Sequence, residues 1–476
     1  MQAFIETINS YLSDYILIIL LVGVGIFFTV VTKFVQVRYF GYGMKKVFGK
    51  MSLSGKKHER GMSSFQAFTT AVAGQVGTGN IIGASSAILF GGPGAIFWMW
   101  IIAFFGMATN YAEAVLAQKT RKVKGNFIEG GPIYYIKTAF KGNFGKFLAG
   151  FFAVATIIAL GFIGTMVQSN AIGLAVSNAI NIPTWVVGLL IALFSALIFI
   201  GGVKRLASVT EKIIPIMAII YLIGGLIIIC ARITYIPETF ALIFKYAFNP
   251  TAIISGGFGY ALQKAITLGA KRGLFSNEAG MGSTPHAHAL ANVDKAHDQG
   301  AVAMISVFID TFVVLTLTAI IIISTMYAGN GALSGGYNPD TSTLTETNLV
   351  ANAIAVIFGN SSLGLKIGTI FIAICLTFFA FSTIISWNIF GKINFQYLFG
   401  KKGVLFYSII AIVFIILGSF LSSGLVWAFM DLFNYLMVIP NVIALIALYK
   451  VVKNEVMHED LEKKLKRANK ILAKKK

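Results

Sequence analysis

Eleven apolar stretches organise this 476-residue chain. They run over 16–37, 64–91, 93–119, 146–173, 183–203, 210–231, 250–270, 300–327, 367–390, 404–422 and 425–449. A helix needs about 20 apolar residues to cross the hydrocarbon core, and each stretch meets that length. The second and third are parted only by Gly91-Gly92-Pro93-Gly94, a turn signal. The N-terminus carries Glu6 and Asp14 in place of a basic cluster, so the first stretch is predicted to stay as an anchor. The segment 328–364 holds Tyr337-Asn338-Pro339-Asp340 and many Thr and Asn, which predicts a long outer loop with a short helix near 349–358. After Lys450 acidic and basic residues alternate, as in Asp460-Leu461-Glu462-Lys463-Lys464, the pattern of a solvated helix.

Composition agrees with a membrane protein. Hydrophobic residues make up 57% of the chain and charged residues 12%, where soluble domains carry about 25% charged. The net charge of +20 would suit nucleic acid, but its placement excludes that reading. The alternate connections 33–60, 119–146, 204–212, 271–295, 392–402 and 450–476 hold 34 of the 38 Lys and Arg. Basic residues accumulate on the cytoplasmic side, so the expectation is an outer N-terminus and a cytoplasmic C-terminus in the plasma membrane. The inner charge also suits contact with anionic lipid. Cys230 and Cys375 both fall in apolar stretches and read as packing residues.

The second stretch contains Gly74-Gln75-Val76-Gly77-Thr78-Gly79-Asn80. Each glycine costs a helix about 1 kcal/mol relative to alanine. An opened backbone in lipid is tolerated only where protein buries it or it lines a polar cavity. A helix ending near Ala73 and restarting near Ile81 would leave the N–H groups of Thr78, Gly79 and Asn80 at a positive dipole end, suited to a carboxylate. The carbonyls of Ala73 and Val76 would be free for Na⁺. Close helix packing by small residues and a channel filter are the competing readings of the same glycines. No Gly-Lys-Ser/Thr follows, which speaks against a phosphate loop.

Five stretches later, the seventh carries Gly256-Gly257-Phe258-Gly259. An odd offset inverts orientation, and paired Gly-interrupted helices in two inverted halves point to a secondary transporter site. The chain thus divides into an extra N-terminal span with a basic segment (1–62), a first five-helix unit (63–232), an inverted second unit (233–450) and a basic cytoplasmic tail (451–476).

Other polar residues lie in apolar surroundings. Ser382 and Thr383, with the Phe379 carbonyl one turn back, offer hard oxygens suited to Na⁺, against a reading in which each hydroxyl bonds its own helix. Gln168, Ser169 and Asn170 are candidates for a substrate's ammonium or carboxylate, or for interhelical hydrogen bonds. Ionisable residues within spans are functional candidates, and four occur: Glu113, Lys264, Asp310 and Asp431. Glu113 could accept free N–H groups of the broken helix, Asp310 could pair with Lys264 as a gate or strut, and Asp431 could face an interface. The Gly-rich run 271–283, with Asn277 and Glu278, reads as a cytoplasmic gate or cap at the inner mouth. His286 and His288 face apart on a helix, which argues against a metal site. No catalytic set appears, so an enzyme is not expected. Phe162, Phe258 and Phe379 are the aromatic candidates for setting pocket volume.

Three blocks carry a resemblance. Gly91-Gly92-Pro93-Gly94-Ala95-Ile96-Phe97-Trp98-Met99-Trp100, followed by Gly106, resembles the signature of the alanine or glycine:cation symporter family. So do Val76-Gly77-Thr78-Gly79-Asn80-Ile81 and Arg272-Gly273-Leu274-Phe275-Ser276-Asn277-Glu278-Ala279-Gly280, as does Asp310-Thr311. The resemblance implies a LeuT-like fold and symport of Na⁺ with a small neutral amino acid, with no other cofactor and no obligate protein partner. The run from Val76 to Glu113 is also similar to the first core helices of the neurotransmitter:sodium symporters. That likeness gives Gly77, Thr78 and Gly79 to the substrate, the two latter N–H groups facing its carboxylate and the Gln75 carbonyl its ammonium. It gives Ala73, Val76, Ser382 and Thr383 to one sodium ion and Asn80 to a second. A tyrosine that binds the carboxylate in that family has no match here, and Gln168 or Asn170 would stand in for it. A proton-coupled carrier of the same fold, through Glu113 or Asp310, and an ion channel are the rival readings.

Overall fold

The structure is a computed structural model that describes residues 2–49, 61–124, 127–249 and 258–474. It is helical almost throughout, with one small antiparallel hairpin, β1 (Lys122–Lys124) and β2 (Phe127–Glu129). A helical run from Gln2 ends in α1 (Ile18–Val31). Gly25 lets α1 press on the next long helix, since a Cβ there would sit 2.8 Å from the Phe105 Cβ.

Then come α2 (Ser64–Gln75) and α3 (Ala84–Gly91), two halves of one interrupted span, and α4 (Ala95–Thr120). A helix of two parts follows, α5 (Gly142–Thr156) and α6 (Thr165–Ile180), then α7 (Thr184–Ile200) and α8 (Gly202–Ala231). A short helix, α9 (Ile236–Phe248), leads towards a second interrupted span, α10 (Phe258–Asn277) and α11 (Pro285–Leu290). The remainder is α12 (Ala296–Val307), α13 (Thr316–Met326), the short α14 (Leu349–Ile357), α15 (Ser362–Phe399), α16 (Val404–Gly418), α17 (Ser423–Ala447) and α18 (Tyr449–Lys474). The short helix expected near 349–358 is therefore present as α14, and the tail expected to be helical is α18.

Seven helices, counted among the described residues, are long and apolar enough to cross a membrane. They are joined by the shorter apolar helices Ile18–Val31, Gly79–Gly91 and Thr184–Ile200. With the interrupted α10/α11 these account for the eleven stretches of the sequence. Lipid-facing surfaces are apolar, as on α7 and α8, where Leu193, Phe194, Ile200, Ile219 and Ile227 are exposed. The centre is polar and fully buried, which inverts the pattern of a water-soluble bundle.

One boundary differs from expectation in a way that moves the site. The break expected at Gly256–Gly259 falls partly outside the described residues, and Phe258 and Gly259 are helical. Gly256 and Gly257 lie outside the described residues, and from Phe258 the chain is unbroken helix to Asn277. The interruption falls at 278–284, where Glu278 (φ 56), Gly280 (φ 85) and Gly282 (φ 79) adopt left-handed backbone. Glycine tolerates that conformation without a Cβ clash. The run 271–283 is thus no cap at the inner mouth: its last residues, Ser276–Ser283, are buried at the centre. Lys271 and Arg272 then sit within α10, and 32 of the 38 basic residues (34 − 2) remain on the expected inner side.

Candidate functional site

The first break is built by α2. Its N-terminus is fixed by a capping box in which Ser63 and Gln66 satisfy each other's backbone N–H groups. The helix runs through Gly74 and ends at Gln75, and Val76 turns out of it (φ −78, ψ 90). Helical geometry resumes at Thr78, earlier than the expected Ile81, and continues as a wide π-helical turn over Gly79–Gly83. The break is therefore only Val76 and Gly77. Asn80 bridges it: its Oδ1 accepts from the Gly77 N–H at 3.0 Å.

Freed backbone groups on each side of this break have specific partners. The Thr383 hydroxyl lies 2.8 Å from the Ala73 carbonyl, 3.5 Å from that of Val76 and 3.1 Å from that of Phe379. Ser382 Oγ is 2.8 Å from the Phe379 carbonyl. The oxygens of Ala73, Val76 and Thr383 thus lie together, whereas the Ser382 hydroxyl bonds its own helix and faces the Met217 sulfur at 3.7 Å. On the other side, the Thr78 N–H donates to Gln168 Oε1 at 3.3 Å, and Gln168 Nε2 donates to the Thr78 hydroxyl at 3.1 Å. Gly77 lies where both clusters meet, since a Cβ on it would be 2.5 Å from Thr383 Oγ1 and 3.4 Å from Gln168 Oε1.

The second break faces the first. Gln75 Nε2 donates to the Asn277 carbonyl at 2.7 Å. A Cβ on Gly79 would lie 3.0 Å from the Ser276 Cα and 3.1 Å from the Phe275 ring, so the absent side chain lets the two breaks touch. A Cβ on Gly74 would lie 3.4 Å from Glu278 Oε2. Glu113 holds this second break, not the first. Its carboxylate accepts the N–H groups of Gly280 (3.1 Å) and Gly282 (2.9 Å) and the Asn441 amide (2.6 Å). Asn441 also donates to the Gly280 carbonyl at 2.9 Å, and Tyr135 donates to Asn441. Glu278 accepts from Ser283 and from the Trp387 indole.

A third cluster joins both breaks to the π-helical turn between α12 and α13 (Phe308–Leu315). Asp310 accepts from Asn80 (2.6 Å), Ser276 (3.0 Å to each oxygen) and Thr311 (2.9 Å), and Asn277 donates to Thr311 at 3.3 Å. The expected Asp310–Lys264 pair is not formed. Lys264 stands over the Tyr260 ring at 5.6 Å, because α10 turns Ser276, not Lys264, towards Asp310. The partners of these three fully buried carboxylates are N–H and O–H groups. In hydrocarbon this arrangement satisfies the oxygens without a cation.

Other candidates fall elsewhere. Asn170 donates to the carbonyls of Gly418 (2.9 Å) and Leu421 (3.0 Å), tying α6 to the α16–α17 turn and away from the breaks. Phe162 stacks on Phe414 at 5.0 Å, outside the cluster. Phe379 is buried edge-on to Tyr221 at 5.1 Å. Phe258 opens α10, and its side chain lies outside the described residues. Asp431 does face a neighbour: Arg272 approaches it at 3.8 Å and lies over Trp427. His286 and His288 are both buried; His286 bonds Ser283 and Asn394, and His288 bonds Gln299.

Trp387 and Asn441 have no signal in the sequence, and Ser276 and Thr311 enter it only within the blocks that carry the family resemblance. The run Ser276-Asn277-Glu278-Ala279-Gly280-Met281-Gly282 has the same mix of Asn and spaced glycines as Gly74–Asn80, which was the available signal.

The family model described as the sodium:alanine symporter family matches residues 1–474. AgcS of Methanococcus maripaludis, named a sodium/alanine symporter, is 39% identical over 453 residues, 95% of each chain. A Haemophilus influenzae protein named an uncharacterized transporter is 40% identical over 457 residues, again 95% of each chain. Among solved structures, MhsT in complex with L-phenylalanine is similar with a TM-score of 0.57 at 15% identity, over 85% of this chain and 99% of that one. That likeness establishes the LeuT-like fold.

Proposed function

The chain belongs to the sodium:alanine symporter family, and from that premise we infer that it carries a small neutral amino acid, alanine or glycine, together with Na⁺ across the plasma membrane by alternating access. The observation that supports the site most strongly is the Thr383 hydroxyl lying 2.8 Å from the Ala73 carbonyl at the first break. A sodium ion takes the oxygens of Ala73, Val76, Ser382 and Thr383, as hard cations prefer oxygen donors. The substrate carboxylate takes the N–H groups of Thr78 and Gly79 at the start of the second half-helix, where the dipole is positive. Its ammonium meets the carbonyl side of the break at Gln75. Asn80, with Asp310 and Ser276 beside it, offers a second cation position.

Coupling follows from shared backbone. Sodium fixes Ala73 and Val76, and these set where Gly77, Thr78 and Gly79 lie. Each solute then raises the affinity of the other by the same factor. The five helical units opening with α2/α3 and those opening with α10/α11 form the inverted repeats 63–232 and 233–450. The segment 1–62 stands outside them, and the tail after 451 is cytoplasmic. The basic residues support an outer N-terminus.

The test is uptake of labelled L-alanine by proteoliposomes with an inward Na⁺ gradient against equal choline at fixed pH. Accumulation above equilibrium that requires Na⁺ is the expected result. Accumulation driven by a pH gradient without Na⁺ would replace this reading with proton coupling, which the buried carboxylates of Glu113, Glu278 and Asp310 would then serve.

A further inference from the structure

We propose that the Gln168 side-chain amide is a built-in stand-in for the substrate's carboxylate, holding Thr78 until the amino acid displaces it. The inference rests on the reading of Thr78 as part of the carboxylate cradle. Thr78 is fully buried and Gln168 is 1% exposed, so water does not reach this pair. A buried N–H without a partner is costly, and more so in the membrane interior. Gln168 meets that need with one planar group, its oxygen on the Thr78 N–H and its nitrogen on the Thr78 hydroxyl. A carboxylate presents two oxygens in the same planar arrangement, and the Thr hydroxyl can rotate to donate to it.

The amide is a weak occupant. Its contact to the Thr78 N–H is 3.3 Å, at the long end for a hydrogen bond. A carboxylate would make a shorter, charge-assisted bond of about 2.8 Å to the same donor. The exchange is therefore favourable for an anion and nearly neutral for an uncharged amide. Gln168 also sits where it can yield, since it follows the wide π-helical turn Ile157–Gly164 by one turn of α6.

Two consequences separate this role from that of an ordinary ligand. If Gln168 only held bound substrate, removing its amide would weaken alanine binding. If it stands in for substrate, removing the amide leaves Thr78 unsatisfied in the empty protein, and alanine gains. The site also selects an α-carboxylate by charge, so L-alaninamide, which exchanges one amide for another, gains nothing.

The experiment is thermal unfolding of the purified full-length protein, titrated with L-alanine and with L-alaninamide in Na⁺ or choline. In the wild type alanine stabilises in Na⁺ and alaninamide does not. Gln168→Met, which keeps the length without hydrogen bonds, is expected to bind alanine at least about fivefold more tightly, from the penalty on an unpaired buried donor, and to respond to alaninamide. Gln168→Glu places a tethered carboxylate in the cradle. It is expected to lose its response to alanine and to be stabilised by Na⁺ alone as the wild type is by Na⁺ with alanine. Equal or weaker alanine binding by Gln168→Met, or an alanine response retained by Gln168→Glu, overturns the proposal and leaves the transport reading intact. A wild type that alanine does not stabilise in Na⁺ overturns the transport reading and this proposal with it.

Discussion

The carboxylates at the centre and those around α18 differ in whether cations pair with them. At the centre Glu113, Glu278 and Asp310 are fully buried and accept from backbone N–H groups, amides, hydroxyls and an indole. Around α18 cations join the partners, beside the Tyr42, Tyr39 and His297 donors of Asp298, Asp460 and Glu455. Asp298 pairs with Lys46 at 2.6 Å, Glu459 and Glu462 with Lys295 at 2.7 and 2.5 Å, and Glu455 with Lys119 at 2.7 Å. Asp460 pairs with Arg38. Through Glu455, Glu459 and Glu462, α18 is laid against the end of α4 and the start of α12. Hydrogen bonds to fixed backbone hold a geometry, whereas part-exposed ion pairs hold two surfaces together weakly and part at little cost. A transporter needs both: a centre that keeps its breaks in shape and a surface that can open.

The largest predicted effect is at Glu113. Glu113→Leu leaves the N–H groups of Gly280 and Gly282 and the Asn441 amide without their acceptor. Each such loss costs about 1–3 kcal/mol, so the yield of monodisperse protein should collapse. Glu113→Gln keeps one acceptor oxygen and should lose less. Equal thermal stability of Glu113→Leu and the wild type would show that the second break needs no such brace.

Next comes Gly79→Val. Its side chain would meet Ser276 and the Phe275 ring where the breaks touch. Uptake should be abolished while membrane insertion is retained, read by transport and by the amount of protein in membranes. Normal uptake would mean that the breaks separate without loss of function.

The smallest effect is at Lys295, beside α18. Lys295→Ala should leave the unfolding temperature nearly unchanged and speed hydrogen exchange in α18, with the difference from wild type shrinking as salt rises. The pH dependence has a defined sign. Its hydrogen bond to Lys295 holds Glu462 below the ordinary carboxylate range, and the two glutamates raise Lys295. The Glu462 contribution is present above about pH 4.3, the unfolded value, and is lost as pH falls through the folded one. The Lys295 contribution is present below about pH 10.4 and is lost as pH rises through its raised folded value. Protection of α18 should therefore be level across neutral pH and fall in acid. Protection that falls between pH 6 and 8 would implicate another group.

The first break was legible because three glycines in an apolar stretch have few other uses. Its extent was not, because Gly74 stays helical and its missing side chain serves the approach of Ser386 and Glu278 instead. The second break was hidden by its own polarity. Lys271, Arg272 and the Ser-Asn-Glu run look like a loop in water. The partners that bury that run, Glu113 and Trp387, come from positions 167 and 109 residues away. Sequence pattern distinguishes apolar from polar positions, but not a polar segment in water from one satisfied by distant side chains. The same limit explains Lys264 and Asp310, both unusual in a span, yet turned to different neighbours by the pitch of α10.

The most direct test of the central account is the Na⁺ dependence of alanine uptake in Ser382→Ala combined with Thr383→Ala. These changes remove two of the four oxygens assigned to the sodium ion and leave the carboxylate cradle in place. The account predicts a higher Na⁺ concentration for half-maximal uptake, with alanine affinity recovering at saturating Na⁺. An unchanged Na⁺ dependence would contradict a sodium site at the first break.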